Sequence, residues 1–220
     1  MPEPKVGCYR PGDTRHVRGP SPDPELIAAL QALTGLSATV SDALDHLGYR
    51  LAVPASTLAP VGKAARSTVV IGRVMTLRYL PLRESPGPAD ASGRLAHGTV
   101  FDMAQPGDVL VISAPPEMAV SVLGGNALAA AKHAGLAGVI VDGYIRDVDE
   151  LDEVGLPVWA AAVTPVSGRG RLEAVEVNGP VLVGSAHVIA GDVAVADQSG
   201  VSFVPAAVFE GLAKGLLGRS

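Results

Sequence analysis

At 220 residues, with 48% hydrophobic and 18% charged side chains, the chain has the composition of one globular domain with a substantial core, not of a disordered segment. A net charge of −5 without a long basic run argues against binding to nucleic acid by phosphate neutralisation. The single cysteine, Cys8, excludes an intramolecular disulfide and a cysteine metal cluster, and no apolar run approaches the roughly 18 residues that cross a bilayer. Without the charged-then-apolar layout of a signal peptide, the expectation is a cytoplasmic protein that does not engage a membrane.

In chain order, residues 1–20 are studded with Pro and Gly and read as an extended arm, leaving 21–220 as a single domain. Ser21 or Asp23 caps a first helix whose Leu26, Ile27, Leu30 and Leu33 repeat at helical spacing, and Gly35 ends it. A second helix starts at Ser37 or Thr39 and closes at Gly48. Residues 49–67 read as loop. Thr68 to Leu80 reads as a strand, with Gly72 as a bulge. The Pro- and Gly-rich stretch 81–94 reads as a loop over a site or a plain insertion. A short helix at 95–104 and a strand from Val109 to Ser113 follow, and 117–123 lead into a Gly-rich loop. Near the end, 173–184 reads as a hairpin turning at Asn178-Gly179. A second hairpin turns at Ser199-Gly200, and a last helix covers 205–217.

The chemistry concentrates between Gly124 and Glu150. Gly124-Gly125-Asn126 feeds a helix of strong formers from Ala127 to Ala134, stopped by Gly135. Gly138 to Asp142 is a buried strand, Gly143 turns the chain, and Arg146-Asp147 follow. A Gly-rich loop at a helix N-terminus presents free N–H groups to an anion. The returning strand brings Arg146 and Asp147 to the same rim, as α/β units do. Asp147 is equally well placed to cap the helix after it. His97 and His133 read as helix-surface residues, since neither has a partner at ligand spacing. Trp159 reads as a packing residue.

Ser41-Asp42-Ala43-Leu44, Pro106-Gly107-Asp108-Val109, Gly124 to Ala129 and Val141 to Asp147 occur in that order, followed by Pro157 to Ala160, Thr164-Pro165, Gly191-Asp192 and Asp197 to Val201. As an ordered set over about residues 35–210 they resemble the RraA-like family, which includes 4-hydroxy-4-methyl-2-oxoglutarate aldolases. The resemblance implies an α/β fold, a layered swivelling β/β/α domain with flanking helices, assembled as a homotrimer or homohexamer. It implies a small 2-oxo acid substrate and a divalent cation, Mg²⁺ or Mn²⁺. By position, Gly124, Gly125, Asn126 and Ala127 hold the pyruvyl carboxylate, Arg146 contacts the carboxylate or keto oxygen, Asp147 anchors the metal, and Glu150 orients its waters. The aldolases of the group carry an acid 21 positions before the arginine, where this chain has Gly125. Hydroxide on the cation is then the expected base for an aldol cleavage, and oxaloacetate decarboxylation needs no such base. The alternative implied by the family is a non-catalytic regulator that binds a ribonuclease.

Overall fold

The structure, a computed structural model, describes residues 13–17, 21–84 and 95–218. The first half forms β1 (Asp13–Thr14), α1 (Pro24–Gln31), α2 (Leu36–His46), β2 (Ala52–Pro54), β3 (Ala59–Val61), α3 (Gly62–Ser67), β4 (Val70–Pro81), α4 (His97–Met103) and β5 (Val109–Ser113). The second half forms β6 (Ser121–Leu123), α5 (Gly125–His133), β7 (Gly138–Ile145), α6 (Val148–Val154) and β8 (Val158–Val163). It ends with β9 (Leu172–Val177), β10 (Val181–Val183), β11 (Ala186–Val188), β12 (Val193–Asp197), β13 (Gly200–Val204) and α7 (Ala206–Leu217).

The long apolar runs become the central strands because both of their faces are covered. One mixed sheet runs β2-β13-β12-β4-β5-β7-β8-β3, with β9 and β6 attached to β4 and β7. Its centre, β4-β5-β7-β8, is parallel, as the alternation of strands and helices in this stretch dictates. On one face α4, α5 and α6 bury Val100, Leu128, Ala131 and Leu151 against Leu110, Ile112, Val139 and Val141. On the other face the β10–β11 hairpin brings Val181, Val183 and Val188 onto Trp159, Ile140 and Phe203. A third cluster seats α1, α2 and α7 on β12 and β13 through Leu30, Leu44, Val195 and Phe209. The result is a layered mixed α/β domain with flanking helices.

Arg73 on β4 and Asp108 before β5 form a buried two-pronged pair, with Nε and Nη2 each 3.0 Å from a carboxylate oxygen. Asp108 is 0% exposed and also accepts the Gln105 N–H, which clamps the turn after α4 onto the sheet.

Several expectations give way. Residues 49–67 are not loop. β2 and β3 are edge strands of three residues each, too short to show a period, and α3 follows. Residues 121–123 are β6, paired with the end of β7. Asn178-Gly179 does not turn a hairpin, because β9 pairs with β4 and the true hairpin turns at Gly184-Ser185 between β10 and β11. Asn178 sits at φ 59° because its carboxamide is committed to two other segments, the Thr76 N–H and the Arg15 carbonyl. Gly72 is no bulge. It pairs regularly with Ala194, and its missing side chain lets the Gly107 carbonyl come close. Gly143 does not end its strand either: β7 shifts register there and continues to Ile145. Of the arm, residues 13–14 pair with β9. Residues 1–12, Cys8 included, and most of the 81–94 stretch lie outside the described residues. No single helix among the described residues is long and apolar enough to cross a membrane.

Candidate active site

The rim is built by strand pairing. Leu123 at the end of β6 pairs with Ile145 at the end of β7, and the Leu123 carbonyl accepts the Arg146 N–H at 3.0 Å. The Gly124 loop and the Arg146-Asp147 pair must therefore emerge side by side. Gly124 is extended (φ −138°, ψ −178°), and α5 begins after it without a side-chain cap. A Cβ at Gly124 would overlap Asp147 Oδ2 and lie 2.9 Å from Arg146 Nε, so both side chains pack directly on this glycine.

Asp147 occupies the cap position of α6 but does not cap it: no side-chain hydrogen bond to that helix is formed. Its carboxylate instead reaches back across the rim, where Oδ2 accepts the Gly125 N–H at 3.1 Å and faces Arg146 Nε at 3.4 Å. Its backbone is left-handed (φ 59°, ψ 44°), a conformation that few residues other than glycine adopt, Asp and Asn more readily than most.

These groups border a cleft of about 70 Å³ lined by Gly124, Asn126, Ala127, Arg146 and Asp147, with His97, Ser121 and Arg169 also in its lining. Four of the expected lining residues are thus together with Arg146. Gly125 is not at the surface of the cleft. Its N–H is spent on Asp147, and the Glu150 carboxylate lies over its Cα, where any side chain would overlap it. The Ala127 N–H bonds to the Gly124 carbonyl, so Asn126 holds the helix-terminal donor left over. Glu150 stays outside the cleft, behind the Asp147 turn.

His97 is the residue that sequence reasoning misplaced. It begins α4 but faces inward, stacked on Phe101 and edge-on to Tyr79, both at 6.2 Å between ring centres. The residue keeps some exposed surface, yet its Nε2 is buried and unpartnered. Burial lowers its pKa to about 4, against a hydrogen bond to the Val122 backbone that raises it, and the Arg169 charge lowers it further. Burial also pushes the Tyr79 phenol well above its usual range. The sequence held no signal for this, since His97 meets Tyr79 only because β4 and α4 pack together.

Comparison with known proteins follows the same residues. A family profile described as RraA-like, Aldolase/RraA, matches residues 37–202. A protein of Halalkalibacterium halodurans named putative 4-hydroxy-4-methyl-2-oxoglutarate aldolase is 30% identical over 76% of this chain and 70% of its own length. The Thermus thermophilus protein named 4-hydroxy-4-methyl-2-oxoglutarate aldolase is 35% identical over 45% of this chain and 60% of its own. The crystal structure of Streptomyces coelicolor RraAS2, described as an unusual member of the RNase ES inhibitor RraA protein family, superposes with a TM-score of 0.77 at 30% identity. It covers 92% of this chain and 95% of that one. The profile match spans most of the chain and includes the whole Gly124–Glu150 segment, so this protein belongs to the RraA-like family.

Proposed function

We propose that the chain is a divalent-cation-dependent lyase that releases pyruvate from a small 2-oxo acid. The reactions are decarboxylation of oxaloacetate and retro-aldol cleavage of 4-hydroxy-4-methyl-2-oxoglutarate. Its relatives' aldolase names support a carbon–carbon lyase at the level of the family. The observation that carries the reading is the Asp147 carboxylate, which forgoes its own helix and turns into a cleft shared with a guanidinium and a free helix-terminal amide.

A cation fits the donor set only in one form. Among the described residues no three His, Cys, Asp or Glu side chains converge, which excludes an all-protein cage there. Asp147 offers one carboxylate at an open cleft, the arrangement that suits Mg²⁺ or Mn²⁺ retaining several waters. Bound there, the cation would supply Lewis-acid stabilisation of the enolate. The remaining work falls to the chain. Asn126 N–H and Arg146 hold the substrate carboxylate and orient the C3–C4 bond, and the Arg146 charge offsets the negative charge that develops on the keto oxygen. Glu150, behind the Asp147 turn, orients water near the carboxylate. The same site built at a subunit boundary of a trimer or hexamer would borrow further groups from a neighbour.

The experiment is pyruvate release from both substrates with Mg²⁺, before and after chelation, by the wild-type protein and Asp147→Ala. Loss of turnover in the chelated and variant samples is expected. Equal rates in Asp147→Ala and wild type end the proposal and leave a binding role, of the kind the S. coelicolor relative's description names, as the better account.

A further inference from the structure

The peptide that joins Ile145 to Arg146 is gripped on both edges. Its N–H donates to the Leu123 carbonyl of β6, and its carbonyl accepts the Thr164 N–H, each at 3.0 Å. Thr164 follows the last residue of β8, Val163, which pairs with Ile145. It is buried, and its hydroxyl is used twice. Oγ1 donates to the Ala119 carbonyl at 2.9 Å, two residues before β6, and accepts the Val166 N–H at 3.2 Å. The chain then stays on β6: the Val166 carbonyl accepts the Ser121 N–H at 2.8 Å, and the Gly168 N–H donates to the Ser121 carbonyl at 3.0 Å. One hydroxyl therefore seats residues 164–168 on the strand whose far end leads into Gly124. Valine has the same branched shape, so packing alone does not call for threonine here. The hydroxyl matters for the two groups it satisfies.

We propose that Thr164 is a positioning residue for Arg146. Its hydroxyl keeps residues 164–168 on β6, and its N–H, aligned by that seating, fixes the peptide from which the guanidinium reaches the ligand. The inference rests on the lyase reading of the cleft. Without the hydroxyl, the Ala119 carbonyl and the Val166 N–H lose a partner, and the segment lifts from β6 to find water. The Ile145 carbonyl then loses its donor, and the Arg146 backbone shifts with it. A displacement of about 1 Å at a positioning group costs on the order of 10²-fold in rate. The charge that Arg146 opposes develops in the transition state, so the loss falls on kcat more than on KM.

The test compares wild type, Thr164→Val, Thr164→Ser and Gly168→Ala, each assayed with Mg²⁺ well below its melting temperature. Pyruvate release from oxaloacetate and from 4-hydroxy-4-methyl-2-oxoglutarate is measured beside hydrogen exchange at the Arg146 amide. Thr164→Val should lower kcat by about 10–100-fold with KM within about threefold of wild type. It should also speed exchange of the Arg146 amide by about tenfold or more. Thr164→Ser keeps the hydroxyl and should hold both readouts within about threefold of wild type. Gly168→Ala attacks the same seating from its other end, since the added Cβ would lie 2.6 Å from the Ser121 carbonyl oxygen. It should reproduce the valine pattern, and it decides the matter if the valine variant does not fold. A serine variant as slow as the valine one overturns the assignment while leaving the lyase reading intact. So does full turnover with a protected Arg146 amide in either the valine or the alanine variant. A wild-type protein inert toward both substrates overturns the two together.

Discussion

Gly124→Ala separates the site from the fold. The backbone there is extended and open to alanine, so the substitution carries no strain of its own. The added Cβ, however, would lie 2.9 Å from Arg146 Nε and 3.1 Å from its Cγ, and would overlap Asp147 Oδ2. Ordinary contact requires these side chains to retreat by roughly 0.5–1 Å. A retreat of that size breaks the bond from Gly125 N–H to Asp147 and moves the guanidinium off the substrate's oxygens. Misplacement by about 1 Å costs on the order of 10²-fold in rate, or about 2.7 kcal/mol of barrier. The gain from fewer unfolded conformations and the poorer helix cap nearly offset each other, so stability should move by less than about 1 kcal/mol and the melting temperature by less than about 4 °C. Pyruvate release and thermal melting on the same sample decide the matter. Full turnover at an unchanged melting temperature would refute the claim that contact with Gly124 sets the Arg146–Asp147 geometry.

Asp108→Ala leaves Arg73 buried without its carboxylate and should cost about 3–5 kcal/mol, lowering the melting temperature by about 10 °C. Arg73→Met added to it should recover part of the loss in thermal melts. His97 gives an acid-side dependence. Its folded pKa of about 4 lies below the ordinary 6.5, so the unfolded chain binds the proton first as pH falls. The stability it contributes is whole above pH 6.5 and is lost on the way down to about 4, with a ceiling of about 3 kcal/mol. Urea melts at pH 7 and pH 4.5 should therefore show a smaller drop for His97→Gln than for wild type.

The sequence carried the parallel centre of the sheet and the rim of the cleft because both are written locally. Apolar runs such as Gly138 to Asp142 have one plausible partner layer, and a strand that returns beside a helix can end only at that helix's N-terminus. The ordered motifs then identified the family. What stayed hidden depends on contacts between distant residues. β2 and β3 exist because Val53 and Pro60 find open sheet edges at β13 and β8. Asn178-Gly179 has the chemistry of a hairpin turn, yet the β4 edge claims β9 first. The Asp147 carboxylate could have served the cap or the cleft on spacing alone. Only the pairing of β6 with β7, which brings Gly125 N–H beside it, settles which.

The glycine at 125 and the glutamate at 150 belong to one arrangement. A side chain at 125 and the Glu150 carboxylate in its present place exclude each other, because the Cβ would overlap Oε2 and sit 2.7 Å from Cδ. Position 125 opens α5, where alanine is favoured over glycine by up to about 1 kcal/mol. In an Glu150→Ala background Gly125→Ala should therefore stabilise the protein. In the native background it must first evict Glu150, and the gain should vanish or reverse. A double-mutant cycle by urea denaturation should return a coupling of about 1 kcal/mol or more between the two positions. Additive effects within about 0.3 kcal/mol would mean that Glu150 does not rest on Gly125 in solution. The carboxylate would then be free to swing toward the cleft, and its role as an orienting group behind Asp147 would have to be given up.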